Sequence, residues 1–195
     1  MSNRNPTYVN DPEIWLDSYY ARFQPAFDKK YYTALKAFRE LCLEVRERKG
    51  KLMFAGNGAS ASISSHGAVD FTKQGKVRSM DFNEPNLITC FANDFGYDNW
   101  MAKAVEHYAD ATDVVVLISV SGRSPSVVNA AKYAKSQGLK VVSFTGSGGD
   151  NPLRALSDIE FWFDSRAYNV VEAVHMMWLT TVVDMLVGEA EYTVS

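Results

Sequence analysis

DVVVLISVSGRSPS, residues 113–126, joins an apolar run to a polar turn that is rich in serine. The apolar run Val114–Ile118 is rich in β-branched residues, which predicts a strand that is buried on both faces. Pro125 suits the first turn of a helix, where its missing N–H costs nothing, and residues 127–137 are expected to be helical. The stretch is therefore a strand–turn–helix unit whose polar residues lie at the carboxyl end of the strand.

Residues 119–126, which we call the serine turn, predict an anion site. Ser119, Ser121, Ser124 and Ser126 supply hydroxyl groups, and Gly122 permits a tight bend. Backbone N–H groups at the N-terminus of a helix bind anions, and phosphate is the usual one. The alternative is a serine-rich turn that caps its helix and binds no ligand. This stretch alone does not decide between the two.

A second strand–turn–helix unit comes earlier in the chain. Lys51–Ala55 predicts a short strand, and it is followed by Gly56–Ser60, which we call the glycine loop, and by a helix to about Thr72. The loop suits an anion. However, the GxxxxGK spacing of a Walker loop is absent, and Ala61 stands where GxGxxG needs its third glycine. By itself, the glycine loop is a weak signal.

His66 and Asp70 share one face of the helix that follows the glycine loop, because they are four residues apart. Such a pair can serve as an acid–base couple or as two metal ligands. The alternative is a hydrogen bond on a helix surface. The glycine loop is only two to three turns away, and this proximity favours a functional role.

The remaining elements follow from periodicity and from helix and strand signals. A long N-terminal helical arm is expected over about residues 11–49, broken at Pro25 and crowded with aromatic side chains. A partner subunit could cover this apolar surface; alternatively, the arm packs on its own domain. After a loop at Gln74–Pro85, we predict strands at Asn86–Phe91, Lys140–Thr145 and Asp158–Phe163 and a last helix at Tyr168–Val187.

Length and composition limit the classes of protein. The chain has 195 residues, 47% of them hydrophobic, which predicts one domain over 1–195 with a β/α core at about 51–188. The formal net charge of -3 argues against a nucleic-acid-binding surface. Cys42 and Cys90 lack metal-ligand spacing and are expected to be buried thiols in a reducing compartment. We expect no apolar run of membrane-spanning length, and therefore a cytoplasmic protein.

The alternation of strands and helices predicts an α/β fold. We expect a three-layer αβα sandwich with a five-stranded parallel sheet. Ligands of such sheets bind beyond the carboxyl ends of the strands. The glycine loop, the turn Asn93–Gly96 and the serine turn all lie on that side, which strengthens the prediction of an anion site.

Three motifs together carry a resemblance to a known family. GNGASASISSHGAVDF (residues 56–71), ANDFG (92–96) and ISVSGRS (118–124) resemble the sugar isomerase (SIS) fold, and most closely the phosphoheptose isomerase family. That family converts sedoheptulose 7-phosphate to a glycero-manno-heptose 7-phosphate. Its members are commonly homotetramers with sites at subunit interfaces. The resemblance covers nearly the whole chain and implies a phosphosugar isomerase.

The resemblance also implies roles for individual residues. The family's phosphate-binding serines would fall on Ser119, Ser121 and Ser124. The substrate site would also include residues of the glycine loop and of the turn after the third predicted strand, namely Asn57, Gly58, Ser60, Asn93 and Asp94. Family positions that can bind zinc would fall on His66, Asp70, Glu172 and Thr180, and a catalytic aspartate of the family would fall on Asn169.

Several of these positions depart from the family pattern. Asp70 is one methylene shorter than the family's glutamate, Glu172 replaces a glutamine, and Thr180 replaces a histidine. A ketose–aldose isomerase moves a proton between adjacent carbons through an enediol, which requires a base and an acid. Asp70, Glu172 and His66 could still supply these groups or hold zinc. His175 could replace the missing histidine, although core packing suits it better.

Two functions are therefore open. The first is an isomerase that acts on a phosphorylated ketose such as sedoheptulose 7-phosphate, with Asp70 as the first choice for proton transfer. The second is a phosphosugar-binding or adaptor protein without catalysis, because the SIS group contains both kinds. The retained carboxyl groups and histidine favour the enzyme.

Overall fold

The structure, a computed structural model, describes residues 11–193. Its centre is a sheet with the strand order β2-β1-β3-β4-β5. The strands are β1 (Leu52–Gly56), β2 (Ser79–Asp81), β3 (Val114–Ser119), β4 (Lys140–Thr145) and β5 (Ile159–Trp162). Every neighbouring pair is parallel. This confirms the predicted α/β class with a five-stranded parallel sheet.

Helices cover both faces of the sheet. They are α1 (Pro12–Ala21), α2 (Tyr32–Glu47), α3 (Ala59–Lys73), α4 (Pro85–Phe95), α5 (Trp100–Tyr108), α6 (Pro125–Ser136), α7 (Pro152–Ala155) and α8 (Tyr168–Val187). Leu52 and Phe54 enter one hydrophobic cluster with α2, α3 and α8, whereas Met53 and Ala55 enter a second cluster with α5, α6 and α7. Alternate strand residues thus face opposite layers, which confirms the predicted αβα sandwich.

The N-terminal arm is split where the sequence predicts a break. α1 ends before Pro25, short 3₁₀ turns follow at Gln24–Phe27 and Lys29–Tyr31, and α2 begins directly after them. None of the described residues of α1 is buried. Its large apolar side chains are exposed to solvent, among them Ile14, Trp15, Leu16 and Tyr20. The arm therefore carries an apolar surface that its own chain does not cover.

The strand predicted at Asn86–Phe91 is wrong, because this segment belongs to α4. The true second strand in chain order is Ser79–Asp81, within the predicted loop. A short apolar run fits a strand or a buried helix equally well. The residue that indicated a helix was Glu84, which caps its N-terminus by accepting a hydrogen bond from the N–H of Leu87 at 2.8 Å. Cys90, on this helix, is exposed rather than buried, whereas the expected burial of Cys42 is confirmed.

The last helix is a helix of the core. By length and composition alone α8 could cross a membrane, so the expectation that no apolar run approaches that length is wrong. In the fold, α8 packs against α2 and α3 and buries Val174, Trp178 and Val182. The indole Nε1 of Trp178 donates a hydrogen bond to the carbonyl oxygen of Ala26 at 3.1 Å. Core helices commonly pass the same test, and 44% of the most apolar window of α8 is buried.

A buried carboxyl group joins the amino ends of β1 and β3. Asp113 Oδ1 accepts a hydrogen bond from the N–H of Lys51 at 2.8 Å, and its Oδ2 accepts one from the N–H of Asp110 at 2.7 Å. The same Oδ2 pairs with the Lys51 ammonium group. The side chain of Asp113 is 1% exposed, whereas that of Asp110, the second partner of this ammonium group, is 79% exposed. Asp113 therefore aligns the first residues of the two strands.

Replacing Asp113 by alanine should lower the free energy of unfolding by about 3 kcal/mol, because two N–H groups and an ammonium group lose their buried partner. Asp110→Ala removes an exposed partner of the same lysine, whose charge is screened by solvent, and should cost much less than Asp113→Ala. Urea denaturation of the two variants measures the difference. Equal losses would contradict the role assigned to Asp113.

Candidate functional site

A pocket opens at the carboxyl edge of the sheet. The glycine loop, the serine turn and the first turns of α8 form its walls. The lining residues are Asn57, Ser60, Ile118, Ser119, Val120, Ser121, Ser124, Tyr168 and Glu172. The structure thus brings six of the predicted site residues to one place, and Gly58 forms the bend of the loop beside them.

The glycine loop packs closely on α3, and this packing positions Ser60. A Cβ on Gly56 would lie 2.7 Å from the Cβ of Ser60, so a residue with a side chain would push the strand and the helix apart. Gly58 has φ of 57° and ψ of -128°, a conformation that residues with a side chain rarely adopt. α3 begins directly after it, and Ser60 in its first turn is buried at the floor of the pocket.

Two hydroxyl groups of the serine turn hold the turn itself. Ser119 Oγ accepts a hydrogen bond from the N–H of Gly122, and Ser121 Oγ accepts one from the N–H of Arg123, both at 3.2 Å. Gly122 has φ of 60°, and a Cβ there would lie 2.1 Å from a side-chain oxygen of the loop after β4. Ser124 directly precedes α6, and among the described residues its hydroxyl group makes no hydrogen bond that caps the helix. Its hydroxyl group can therefore donate to a ligand in the pocket.

The hydrogen-bond donors that the pocket offers to an anion are uncharged. No Lys, Arg or His among the described residues lines it. Arg123, although it belongs to the serine turn, pairs with Asp150 at 2.6 Å. An anion would be bound by hydroxyl groups and by the positive end of the α6 dipole, an arrangement that suits phosphate. Among the described lining residues, Glu172 supplies the carboxyl group.

Asn57 is held from two sides. Tyr97 Oη donates to Asn57 Oδ1 at 2.9 Å, and Asn57 Nδ2 donates to Ser126 Oγ at 3.2 Å. The sequence analysis missed Tyr97, because only the tertiary structure brings the turn between α4 and α5 to the glycine loop. It also missed Tyr168, which lines the pocket. The available signal was its position four residues before Glu172 on one helix.

His66 and Asp70 lie away from this pocket. His66 Nε2 is 3.1 Å from Asp70 Oδ2, and the two side chains are 53% and 20% exposed. Neither residue lines the pocket, which α3 reaches through Ser60. Asp70 follows Ser60 by roughly 15 Å along the helix axis, at about 1.5 Å per residue. Within one chain, the pair therefore does not meet Glu172.

The zinc site expected at His66, Asp70 and Glu172 is not assembled within one chain. In the part of the chain that the structure describes, no group of three or more His, Cys, Asp and Glu side chains is placed to hold a metal ion. Thr180, at a family zinc position, donates its hydroxyl to the carbonyl oxygen of Met176 at 3.1 Å. The donors of a single chain do not fit zinc, and the zinc prediction is not confirmed.

The sequence predicted that Asn93 and Asp94 lie in a turn after a strand, but the structure does not place them in such a turn. They are exposed residues of α4, outside the pocket lining. Asn93 Nδ2 donates to Asp94 Oδ1 at 2.9 Å. The predicted location was wrong because the whole segment is helical. Their role in substrate binding stays a prediction, and Asn169 is likewise exposed, in the first turn of α8.

His175 is a core residue, as the sequence favoured, and does not replace the histidine that is missing at Thr180. It is fully buried, and its Nε2 donates to the carbonyl oxygen of Thr145 at 3.0 Å. Burial lowers the pKa of His175 to about 4, because the imidazolium form would lose its hydration. The bond to Thr145 opposes this shift only in part. Among the described residues, His175 Nδ1 has no hydrogen-bond partner.

Known proteins share this fold. Residues 17–146 match the family model of the SIS domain. The structure of a phosphoheptose isomerase from Neisseria gonorrhoeae superposes with a TM-score of 0.80, over 90% of this chain and 98% of that chain, at 24% identity. A phosphoheptose isomerase structure from Francisella tularensis gives a TM-score of 0.81 over the same shares, at 21% identity. The fold and the family model define the class, a protein with a SIS domain.

Sequence identity narrows the class. The phosphoheptose isomerase of Fusobacterium nucleatum is 33% identical over 139 residues, which are 69% of this chain and 71% of that protein. The chain belongs to the phosphoheptose isomerase family of SIS-domain proteins. The resemblance found in the glycine loop and the serine turn is thereby confirmed.

The stability of the protein should fall in acid because of His175. Its pKa is about 4 in the folded chain and 6.5 in an unfolded one, so the unfolded state binds more protons between these values. The contribution of neutral His175 to the free energy of unfolding is complete above about pH 6.5. It falls by about 3 kcal/mol as the pH is lowered to about 4.

His175→Phe should remove this part of the pH dependence, whatever it does to stability at neutral pH. Urea denaturation at about pH 5 and about pH 7.5 measures the difference in the free energy of unfolding for wild type and variant. If the variant keeps the wild-type difference between the two pH values, His175 is not the group responsible.

Proposed function

We propose that this protein is a ketose–aldose isomerase that converts sedoheptulose 7-phosphate to a glycero-manno-heptose 7-phosphate. Membership of the phosphoheptose isomerase family supports the reaction and the class of substrate. The observation that carries the proposal is the pocket, in which the serine turn and Glu172 face the same space. Isomerisation of a phosphosugar needs a phosphate-binding site and an acid–base group at fixed positions relative to each other.

The serine turn binds the phosphate group. The hydroxyl groups of Ser121 and Ser124 donate to phosphate oxygens, and the N-terminus of α6 adds the positive end of its dipole. The sugar chain then extends past Asn57 and Ser60 toward Glu172. Pocket residues on three separate elements support this path.

Glu172 moves the proton. As a carboxylate it removes a proton from the carbon beside the carbonyl group, which leaves an enediol, and it returns the proton to the former carbonyl carbon. A second proton passes from the hydroxyl oxygen to the carbonyl oxygen. One carbon is oxidised while its neighbour is reduced, so no external electron acceptor is needed. Asn57 and Ser60 hold the two oxygens by hydrogen bonds.

His66 and Asp70 act in the pocket of another subunit of a cytoplasmic homotetramer. One chain does not bring them to its own Glu172, so a catalytic role for them requires a second copy. The exposed apolar residues of α1 support assembly, as does Val69, which is 60% exposed beside Asp70. The family resemblance supports sites that are shared between subunits.

The first test is incubation of the purified protein with sedoheptulose 7-phosphate, followed by NMR. Signals of the aldose product are expected to appear. If the protein binds ketose phosphates and converts none of them, it is a phosphosugar-binding protein without catalysis.

Ser121→Ala and Ser124→Ala should each weaken the binding of sedoheptulose 7-phosphate at least several-fold. Each variant removes one hydrogen bond to a charged group, which contributes roughly 1.5–3 kcal/mol. Calorimetry measures the affinity. Ser136→Ala is the matched control, because this serine lies at the other end of α6 and donates to the carbonyl oxygen of Tyr133 at 2.7 Å. Wild-type affinity in both pocket variants would rule out phosphate binding by the serine turn.

Glu172→Gln nearly preserves shape and removes the base, so turnover should fall on the order of 10²–10⁴-fold while sugar-phosphate binding survives. Asp70→Asn should have a similar effect.

If the site is shared, subunits of the two variants that are mixed and reassembled should regain part of the activity, because some sites then combine an intact Glu172 with an intact Asp70. Mixed tetramers that stay inactive would contradict the shared site, and near-wild-type turnover of Asp70→Asn would exclude Asp70 from the chemistry.

A further inference from the structure

We infer that Tyr97 is a positioning residue that fixes the amide of Asn57 for recognition of the sugar part of the ligand, an inference that rests on the proposed function of the pocket. Tyr97 lies just after α4, where Gly96 turns the chain with φ of 81°. From this turn its hydroxyl group donates to Asn57 Oδ1 at 2.9 Å. The bond joins the turn between α4 and α5 to the glycine loop.

The hydrogen bonds of Asn57 determine which way its amide points. A primary amide has two N–H donors and one acceptor oxygen. The oxygen accepts from Tyr97, and one N–H donates to Ser126 Oγ at 3.2 Å, a serine that is 1% exposed in the first turn of α6. The second N–H is available to the pocket, which Asn57 lines. Asn57 therefore presents a donor to a ligand.

Loss of the Tyr97 hydroxyl would release this arrangement. The amide could then rotate by half a turn and present its oxygen in place of its nitrogen. A carbonyl oxygen of a ketose needs a donor, so the rotated amide would leave it unpaired. The phosphate group would be unaffected, because the serine turn binds it. Tyr97 thereby sets the preference of the pocket for an acceptor on the sugar.

Tyr97→Phe tests this inference by removing one oxygen atom and keeping the ring. The affinity for sedoheptulose 7-phosphate, measured by calorimetry, should fall roughly three- to tenfold, the effect of one hydrogen bond. The affinity for inorganic phosphate should stay at the wild-type value. Tyr108→Phe is the matched control, because the ring of Tyr108 packs against Phe82 and does not line the pocket.

A double-mutant cycle separates positioning from general support of the fold. In an Asn57→Ala background, Tyr97→Phe should have no further effect on sugar-phosphate affinity, because the group that it positions is gone. A loss that persists in this background would overturn the inference, as would equal weakening of inorganic phosphate binding or unchanged affinity in Tyr97→Phe. These are binding measurements, so they test Tyr97 whether or not the wild type shows turnover. Absence of turnover would refute the proposed function alone.

Discussion

The parallel pairing of β1 with β3 is the constraint on which the pocket depends. In the observed register Leu52 lies beside Val114 and Gly56 lies beside Ile118, so the two strands end at the same level. Both strands are buried on both faces, and a slip of one residue would exchange the side chains that face the two helical layers. Each strand then turns directly into a polar segment and a helix. The glycine loop and the serine turn are thereby held next to each other.

The packing of α8 against α3 determines which chemical groups reach this edge. A Cβ on Gly67 would lie 2.5 Å from a methyl group of Leu179, so the two helices touch closely at their middles. This contact leaves Glu172 near the start of α8 and level with Ser60, where both line the pocket. It also leaves Asp70 more than two turns further along α3. Among the described residues, one chain therefore brings the serine turn and a single carboxyl group to the same pocket.

The sequence predicted those parts of the molecule that carry a local signal. Val114–Ile118 is a continuous apolar run, which predicts a buried strand. The glycines and serines that follow the central strands predict polar turns. β2 has three half-buried residues at the edge of the sheet, which leave no apolar run to detect. The apolar residues of 86–91 gave a strand prediction because a run of this length does not distinguish a strand from one face of a helix.

The site was predictable to a similar extent. The pocket residues of the glycine loop and the serine turn follow from motifs, whereas the contact of Tyr97 with Asn57 joins residues that are far apart in sequence. The separation of His66 and Asp70 from Glu172 depends on how two helices pack, which no spacing along the chain encodes. The exposure of the apolar residues on α1 likewise does not specify what covers them.

Exchange of solvent deuterium into the sugar phosphate is the most direct measurement of the chemistry at this pocket. If Glu172 removes a proton and its carboxyl proton exchanges with solvent before it is returned, NMR of sedoheptulose 7-phosphate with the protein in D₂O should show deuterium at the carbon beside the carbonyl group. Exchange should stop in Glu172→Gln while the sugar phosphate still binds. Exchange at the wild-type rate in that variant would contradict proton transfer by Glu172.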